Sequence, residues 1–303
     1  MDTFKTRVGF SKIYRISPEI FERETGKRFP YVKKSSDTIS NYAVCPECDN
    51  PIQLIGLYKQ TKESGRKPYG KHHKYSISGL ADYSEIDYMD CPFSNPTWKK
   101  THGKKSKDSP LAKRLLELLS NQFDRITYLL NKQTGLYISY SLAEIMLDNY
   151  LVSEGWLFKE ATVNNLPWLF AQCSPAFALF GKIVKKESPL YQALKDSSEV
   201  SFVPSTFLPD YVQVRNREQT QYLDLYITFL NHQKYVVNEE VTETMDFWVF
   251  KELANGEKET IFIETLPIES TYFSNLALST KYEQRRNKKM LEISKNKIER
   301  MYE

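Results

Sequence analysis

Cys45-Pro46-Glu47-Cys48-Asp49-Asn50-Pro51-Ile52-Gln53-Leu54-Ile55-Gly56-Leu57-Tyr58 decides how the N-terminal third of this chain folds. Two cysteines two residues apart open the stretch, and an apolar run with strand character, Pro51 to Tyr58, follows at once. Thiolates at that spacing grip one tetrahedral ion from a tight turn. Working outward, further ligand types stand at His72, His73 and Cys91. The spacing Cys45-x2-Cys48-x24-His73-x17-Cys91 supplies three sulfurs and one nitrogen. Such a set closes a zinc shell and leaves no position for a catalytic water. His73 is the preferred imidazole and His72 the alternative; the one left over faces solvent or a phosphate. Structural Zn2+ is therefore the expected cofactor.

Other readings of the cysteines are weaker. A redox Cys-x-x-Cys normally sits at a strand-to-helix junction, whereas here a strand follows. The polar loop 59–70 lacks the apolar content to fold unaided, and a metal would fix its ends. Cys173 lies in an apolar segment and reads as a buried thiol. Four cysteines in 303 residues make no disulfide scaffold.

The charge is unevenly placed. A formal net charge of +4 divides into +9 over residues 1–114, −9 over 115–269 and +4 over 270–303. Two basic ends flanking an acidic middle point to a polyanionic partner or to contact between segments. Lys59, Lys62, Arg66, Lys67, Lys71 and Lys74 lie within the zinc loop between Cys48 and Cys91, with Tyr58, Tyr69 and Tyr75 among them. Residues 94–110 read as a linker or exposed basic arm carrying Lys99, Lys100, Lys104, Lys105 and Lys107. The candidate nucleic-acid contacts are Lys71, Lys74, Lys99, Lys100, Lys104 and Lys105, which would meet phosphates without reading bases. The plainer alternative is a solvated lysine surface.

Beyond the arm the period becomes helical. Before it, near the N-terminus, Ser17-Pro18 starts a short helix that Gly26 ends. Ser109-Pro110 opens a longer one, with apolar residues at three- and four-residue spacing from Leu111 to Leu130 and Gly135 as its stop. Ser139 to Tyr150 repeats the pattern, and Asn165 to Phe180 reads as buried core. From Val200 the period is two. Tyr222 to Leu230 is a strand that Tyr235-Val236-Val237 can join across a turn at Asn231-His232-Gln233. Met245–Leu253 and Glu259–Leu266 form a second hairpin. A long basic amphipathic helix is expected from Thr271 to Tyr302, most simply packed on the sheet. The expected fold is α+β: a basic zinc-binding region over 1–108, then an α+β domain over 109–303. That domain divides into a helical part (109–198), an antiparallel sheet (199–268) and the helix at 271–302.

The run Cys45 to Leu54, followed by Tyr69-Gly70-Lys71-His72-His73, resembles the N-terminal zinc-binding module of CoiA-like competence proteins. The resemblance covers roughly 30 of the 303 residues. It implies a bacterial or mobile-element setting, with DNA handling or phage defence as the task, and a restriction-endonuclease-like domain after the module. Such a nuclease sets an Asp on one strand and a Glu-x-Lys on the next, so that they share one metal edge. Asp246 and Glu264 are the candidates, with Asp224 or Glu240 as a further carboxylate. Glu264-Thr265-Leu266 lacks the lysine. His102 and His232 stand apart without a motif and read as surface residues.

The leading expectation is a cytoplasmic, zinc-stabilised nucleic-acid-binding protein. A metal-dependent nuclease and a protein-interaction subunit of a larger complex are the alternatives. No apolar stretch approaches the roughly 18–20 residues that span a bilayer, and Met1 to Phe10 has no signal-peptide pattern. No membrane partner is expected.

Overall fold

Phe4 and Tyr14 pair across the first two strands; Tyr14 also pairs with Glu240, and Lys5 bridges to Val44. The computed structural model describes residues 1–303 other than 11, 36–37, 60–66, 92, 94–102, 218–224, 238–239, 254, 280–284 and 302–303. β1 (Thr3–Phe4) and β2 (Tyr14–Arg15) are followed by α1 (Pro18–Thr25). The Ser17 hydroxyl accepts from the Ile20 N–H, Pro18 occupies the first turn, and Gly26 ends the helix at φ 60°. β3 (Val32–Ser35), β4 (Thr38–Val44), β5 (Pro51–Ile55) and β6 (Tyr69–His72) form an antiparallel sheet in that order. β5 stops at Ile55, short of the expected Tyr58, because Gly56 turns the chain at φ 70°.

α2 (Glu85–Asp90) is capped by Ser84 and leads to Cys91. α3 (Pro110–Thr134) begins on Ser109 and ends on Gly135 in αL, as its sequence predicts. Leu111, Leu115, Leu119, Phe123, Ile126 and Leu130 recur along its buried face. β7 (Leu136–Tyr137), α4 (Tyr140–Val152, capped by Ser139) and α5 (Leu166–Gln172) follow. Trp168 and Phe170 are fully buried in the main core, so the first part of the expected core segment is core, whereas Pro175, Ala176 and Ala178 in its second part are exposed.

The chain then alternates. β8 (Phe177–Ala178), β9 (Ile183–Lys185), α6 (Pro189–Lys195), β10 (Val200–Pro204) and β11 (Tyr211–Asn216) lead into the long strands. These are β12 (Leu225–Val237), β13 (Glu240–Glu252) and β14 (Lys258–Pro267). One sheet has the order β10-β11-β9-β7. The body sheet has the order β1-β2-β13-β12-β8, with β14 also on β13. α7 (Ser270–Leu278) and α8 (Lys288–Glu299) close the described chain.

The fold is α+β, as expected, but several boundaries move. The segment expected to be helical, 109–198, contributes β7, β8 and β9, and the N-terminal β1 and β2 join the body sheet. No turn forms at Asn231-His232-Gln233. A β-bulge lies there instead, with Asn231 at φ 56°, and β12 runs straight on to pair with β13. The pairing of β13 with β14 is the expected second hairpin.

The long C-terminal helix is two helices. The Arg125 guanidinium donates to the carbonyls of Ala277 and Ser279, at 2.9 and 2.7 Å, and so satisfies the end of α7. Asn287 then caps α8 through the Met290 N–H. No helix of the described residues is long and apolar enough to cross a membrane.

Candidate metal centre

The centre is assembled from three local structures. Cys45 and Cys48 lie in the turn joining β4 to β5, where the Cys45 N–H donates to Asn50 O at 2.8 Å and Asp49 takes φ 60°. A third ligand comes from the end of β6. Cys91 is the C-cap of α2, its N–H bonded to Tyr88 O. Asn50 ties the turn to the helix: its Oδ1 accepts from the Ser84 N–H at 2.7 Å, and its Nδ2 donates to Cys48 Sγ at 3.3 Å. Ser84 is also the cap of α2.

The imidazole of the cluster belongs to His72, not to the expected His73. One ligand atom each from Cys45, Cys48, His72 and Cys91 lies within 4.8 Å of the others. The reason is strand parity. His72 pairs with Ile52, and Gly70 with Leu54, so His72 shares the face whose Ile52 and Leu54 pack with the three cysteines. His73 is one residue on and faces the other way. Its ring lies edge-on to Tyr42, 5.2 Å between centroids. Burial, and then the Lys33 ammonium, hold the His73 pKa below the ordinary imidazole value.

The distances suit one tetrahedral ion. Cys45 Sγ and Cys91 Sγ are 3.8 Å apart, and Cys48 Sγ and His72 Nε2 are 3.3 Å apart. Metal–sulfur bonds of about 2.3 Å at the tetrahedral angle separate two sulfurs by about 3.8 Å. The cysteines are free and buried, and three buried thiols conflict electrostatically. Burial disfavours the Cys45 thiolate, yet hydrogen bonds from Cys48, Cys91 and His72 outweigh it and hold that thiol well below its ordinary value. Burial and the neighbouring sulfurs push Cys48 up, and Cys45 followed by burial pushes Cys91 up. A single divalent cation removes this conflict by favouring all three thiolates together. Cys173 stands apart, partly buried, its thiol pushed up to about 12 by burial.

The lysines expected to touch nucleic acid separate into distinct environments. Lys71 is exposed on β6, on the face away from the ligands, beside Tyr69. Lys74 is exposed, with its ammonium 4.9 Å from the Tyr88 ring centroid. Lys104 is exposed but pairs with Glu154 at 2.7 Å, and Lys107 pairs with the same carboxylate at 2.8 Å. Lys105 is not a surface contact. It is buried, and its ammonium donates to the carbonyls of Phe158, Lys159 and Ala161. Arm residues Lys99 and Lys100, loop residues Lys62 and Arg66, and His102 lie outside the described residues.

Asp246 and Glu264 do not form one site. Asp246 is opposite Thr265 in the β13–β14 register, whereas Glu264 is opposite Phe247, so the two carboxylates project from opposite faces of the sheet. Asp246 accepts from Thr265 Oγ1 at 2.7 Å and from Asn231 Nδ2 at 3.0 Å. Glu264 Oε2 is buried with no hydrogen-bond partner among the described residues, and burial raises its pKa. Asp224 lies outside the described residues, and Glu240 is the first residue of β13. His232 is not an isolated surface residue: its Nε2 is 2.8 Å from Glu243 Oε2, and both side chains are nearly buried.

Two cavities lie near these elements. One, of about 610 Å3 beside Cys48, has Asp49 bonded to Lys5 and Asp87 bonded to Ser109 in its wall. The other, of about 370 Å3 between α3 and the C-terminal segment, has Arg286 on Asp124 and Arg125 on backbone carbonyls. In both, much of the lining charge is taken up by internal contacts. No family model, no curated protein and no solved structure matches this chain.

Proposed function

We propose that this chain is a zinc-stabilised nucleic-acid-binding protein whose N-terminal sheet meets the phosphate backbone. Zinc suits a donor set of three thiolates and one imidazole, and with four protein ligands it orders the module without supplying chemistry. The observation that carries the reading is the face of β5 and β6 turned away from those ligands. Tyr69 and Lys71 are exposed there, the Lys33 ammonium lies near His73, and Tyr75 is 74% exposed at the end of the same edge. Positive charge interleaved with aromatic rings suits phosphate contact together with sequence-tolerant stacking of unpaired bases.

The resemblance to the CoiA-like zinc module makes bacterial DNA the first substrate to try, in a cytoplasmic setting of DNA handling or phage defence. Titration of a generic duplex and a single strand at several salt concentrations tests the reading. Affinity is expected to fall steeply as salt rises and to fall further in Lys71→Glu. Absence of binding at low salt overturns it.

A further inference from the structure

Glu47 stands between the two cysteines of the turn, yet its carboxylate engages the body sheet. It meets the Lys234 ammonium of β12 and is only 8% exposed. Lys234 also lies 3.7 Å from Glu243 Oε1, on the register partner in β13. The other Glu243 oxygen accepts from Asn165 Nδ2 at 3.0 Å and is 2.8 Å from His232 Nε2. Asn165 leads into α5. On the other side of the turn, Lys5 bonds Asp49 and the carbonyl of Pro46. Charged and polar contacts thus run from the turn into β12, β13 and α5.

The turn is anchored at its ends, by Lys5 on Asp49 and Pro46 O and by Asn50 on Ser84, with Glu47 between them. Residues 45–50 form neither helix nor strand, and two backbone hydrogen bonds close them, Cys45 N–H to Asn50 O and Asp49 N–H to Cys45 O. Cys45 and Cys48 lie on either side of Glu47 between those anchors, so an ion bound to both fixes the segment that carries Glu47. The Glu47 carboxylate is costly to separate from Lys234, because, nearly buried, it is left desolvated without its counter-charge. Release of the cysteines reaches Lys234 and Glu243 through Glu47, a link separate from the backbone pairing of β2 with β13.

We propose that metal occupancy of the cysteine turn is transmitted through Glu47 and Lys234 to the β12–β13 hairpin, so that the ion orders the body sheet as well as the N-terminal module. This rests on the zinc reading above. It makes the site a metal-responsive joint between two regions that the sequence presents as separate.

Hydrogen exchange on the full-length chain tests it, with metal content measured on the same samples. In the wild type, chelation is expected to raise exchange over residues 225–252 by at least about tenfold, with the β10–β11–β9 sheet as the internal reference. In the Glu47→Gln/Lys234→Met double variant, loaded with zinc, chelation is expected to leave 225–252 unchanged relative to that reference. Glu47→Gln alone keeps the shape and removes the charge; it serves if the double variant does not fold, and is expected to reduce the response. Zinc at about one per chain with no response over 225–252 on its removal overturns the coupling and leaves the zinc reading standing. A variant that responds like the wild type also overturns the coupling, and a chain that holds no metal overturns both.

Discussion

His72 Nε2 stands 3.3 Å from Cys48 Sγ, while the ring of His73, the next residue, packs against Tyr42 and Tyr75. His72 ends β6, and His73, whose N–H still bonds Pro51 O, follows in the opposite sense, so only one of the two can face the cysteines. With the proposed zinc bound, His72→Ala is therefore expected to reduce the metal from about one per chain to near zero, read by elemental analysis. His73→Ala should keep the ion, and Cys48→Ser should lose it and unfold residues 42–93. Zinc retained in His72→Ala but lost in His73→Ala would contradict the ligand set.

Under the proposed function, Lys105 and Lys71 separate stability from binding. Replacing Lys105 with Met removes the ammonium that three backbone carbonyls share. The expected cost is about 1–3 kcal/mol, seen as a lower Tm with nucleic-acid affinity unchanged. Lys71→Ala does the reverse: Tm stays nearly constant, and the slope of log affinity against log salt shrinks by about 0.9, the share of a single neutralised phosphate. Weaker binding by a fully stable Lys105→Met protein would show that the buried assignment is wrong.

Arg286 clamps the C-terminal segment onto α3. Its Nε and Nη2 each lie 2.8 Å from an oxygen of Asp124, and the two side chains are 14% and 6% exposed. Removing the arginine strands a buried carboxylate, so Arg286→Met is expected to cost about 3–5 kcal/mol, measured by denaturant unfolding. Zinc content should not change. On α8, Lys297 is likewise engaged, 2.8 Å from Asp148. The basic character of this segment is thus partly a docking device, and charge reversal at Lys297 should affect stability more than nucleic-acid binding.

Glu264 sets a pH dependence. Burial raises its folded-state pKa above the unfolded value of about 4.3. A carboxyl group shifted in that direction favours the folded state at low pH, and the benefit is lost as pH rises through the folded pKa. Glu264→Gln is therefore expected to match the wild type near pH 4 and to be more stable at pH 7–8, by less than about 4 °C in Tm since the group is partly exposed. A variant less stable than the wild type at pH 8 would assign the carboxylate a favourable partner.

Several features of this protein are legible in the sequence because a few neighbouring residues encode them. Ser17, Ser109 and Ser139 cap helices, and Gly26 and Gly135 end two of them. Cys45 and Cys48 converge because two intervening residues leave them no other arrangement around one ion, and Cys91 joins them from the far side of the loop. The period-two run from Met245 to Leu266 specifies its own hairpin.

What only the tertiary structure decided depends on partners distant in sequence. The choice of His72 over His73 follows from the register of β6 on β5, and the separation of Asp246 from Glu264 from that of β13 on β14. A slip of one residue would reverse either outcome. Burial of Lys105 depends on carbonyls more than 50 residues away, and Glu47 finds its counter-charge 187 residues along the chain. Local pattern specifies which residues bear a ligand, a charge or a cap. Which way each one faces is decided by the strand or helix that packs against it.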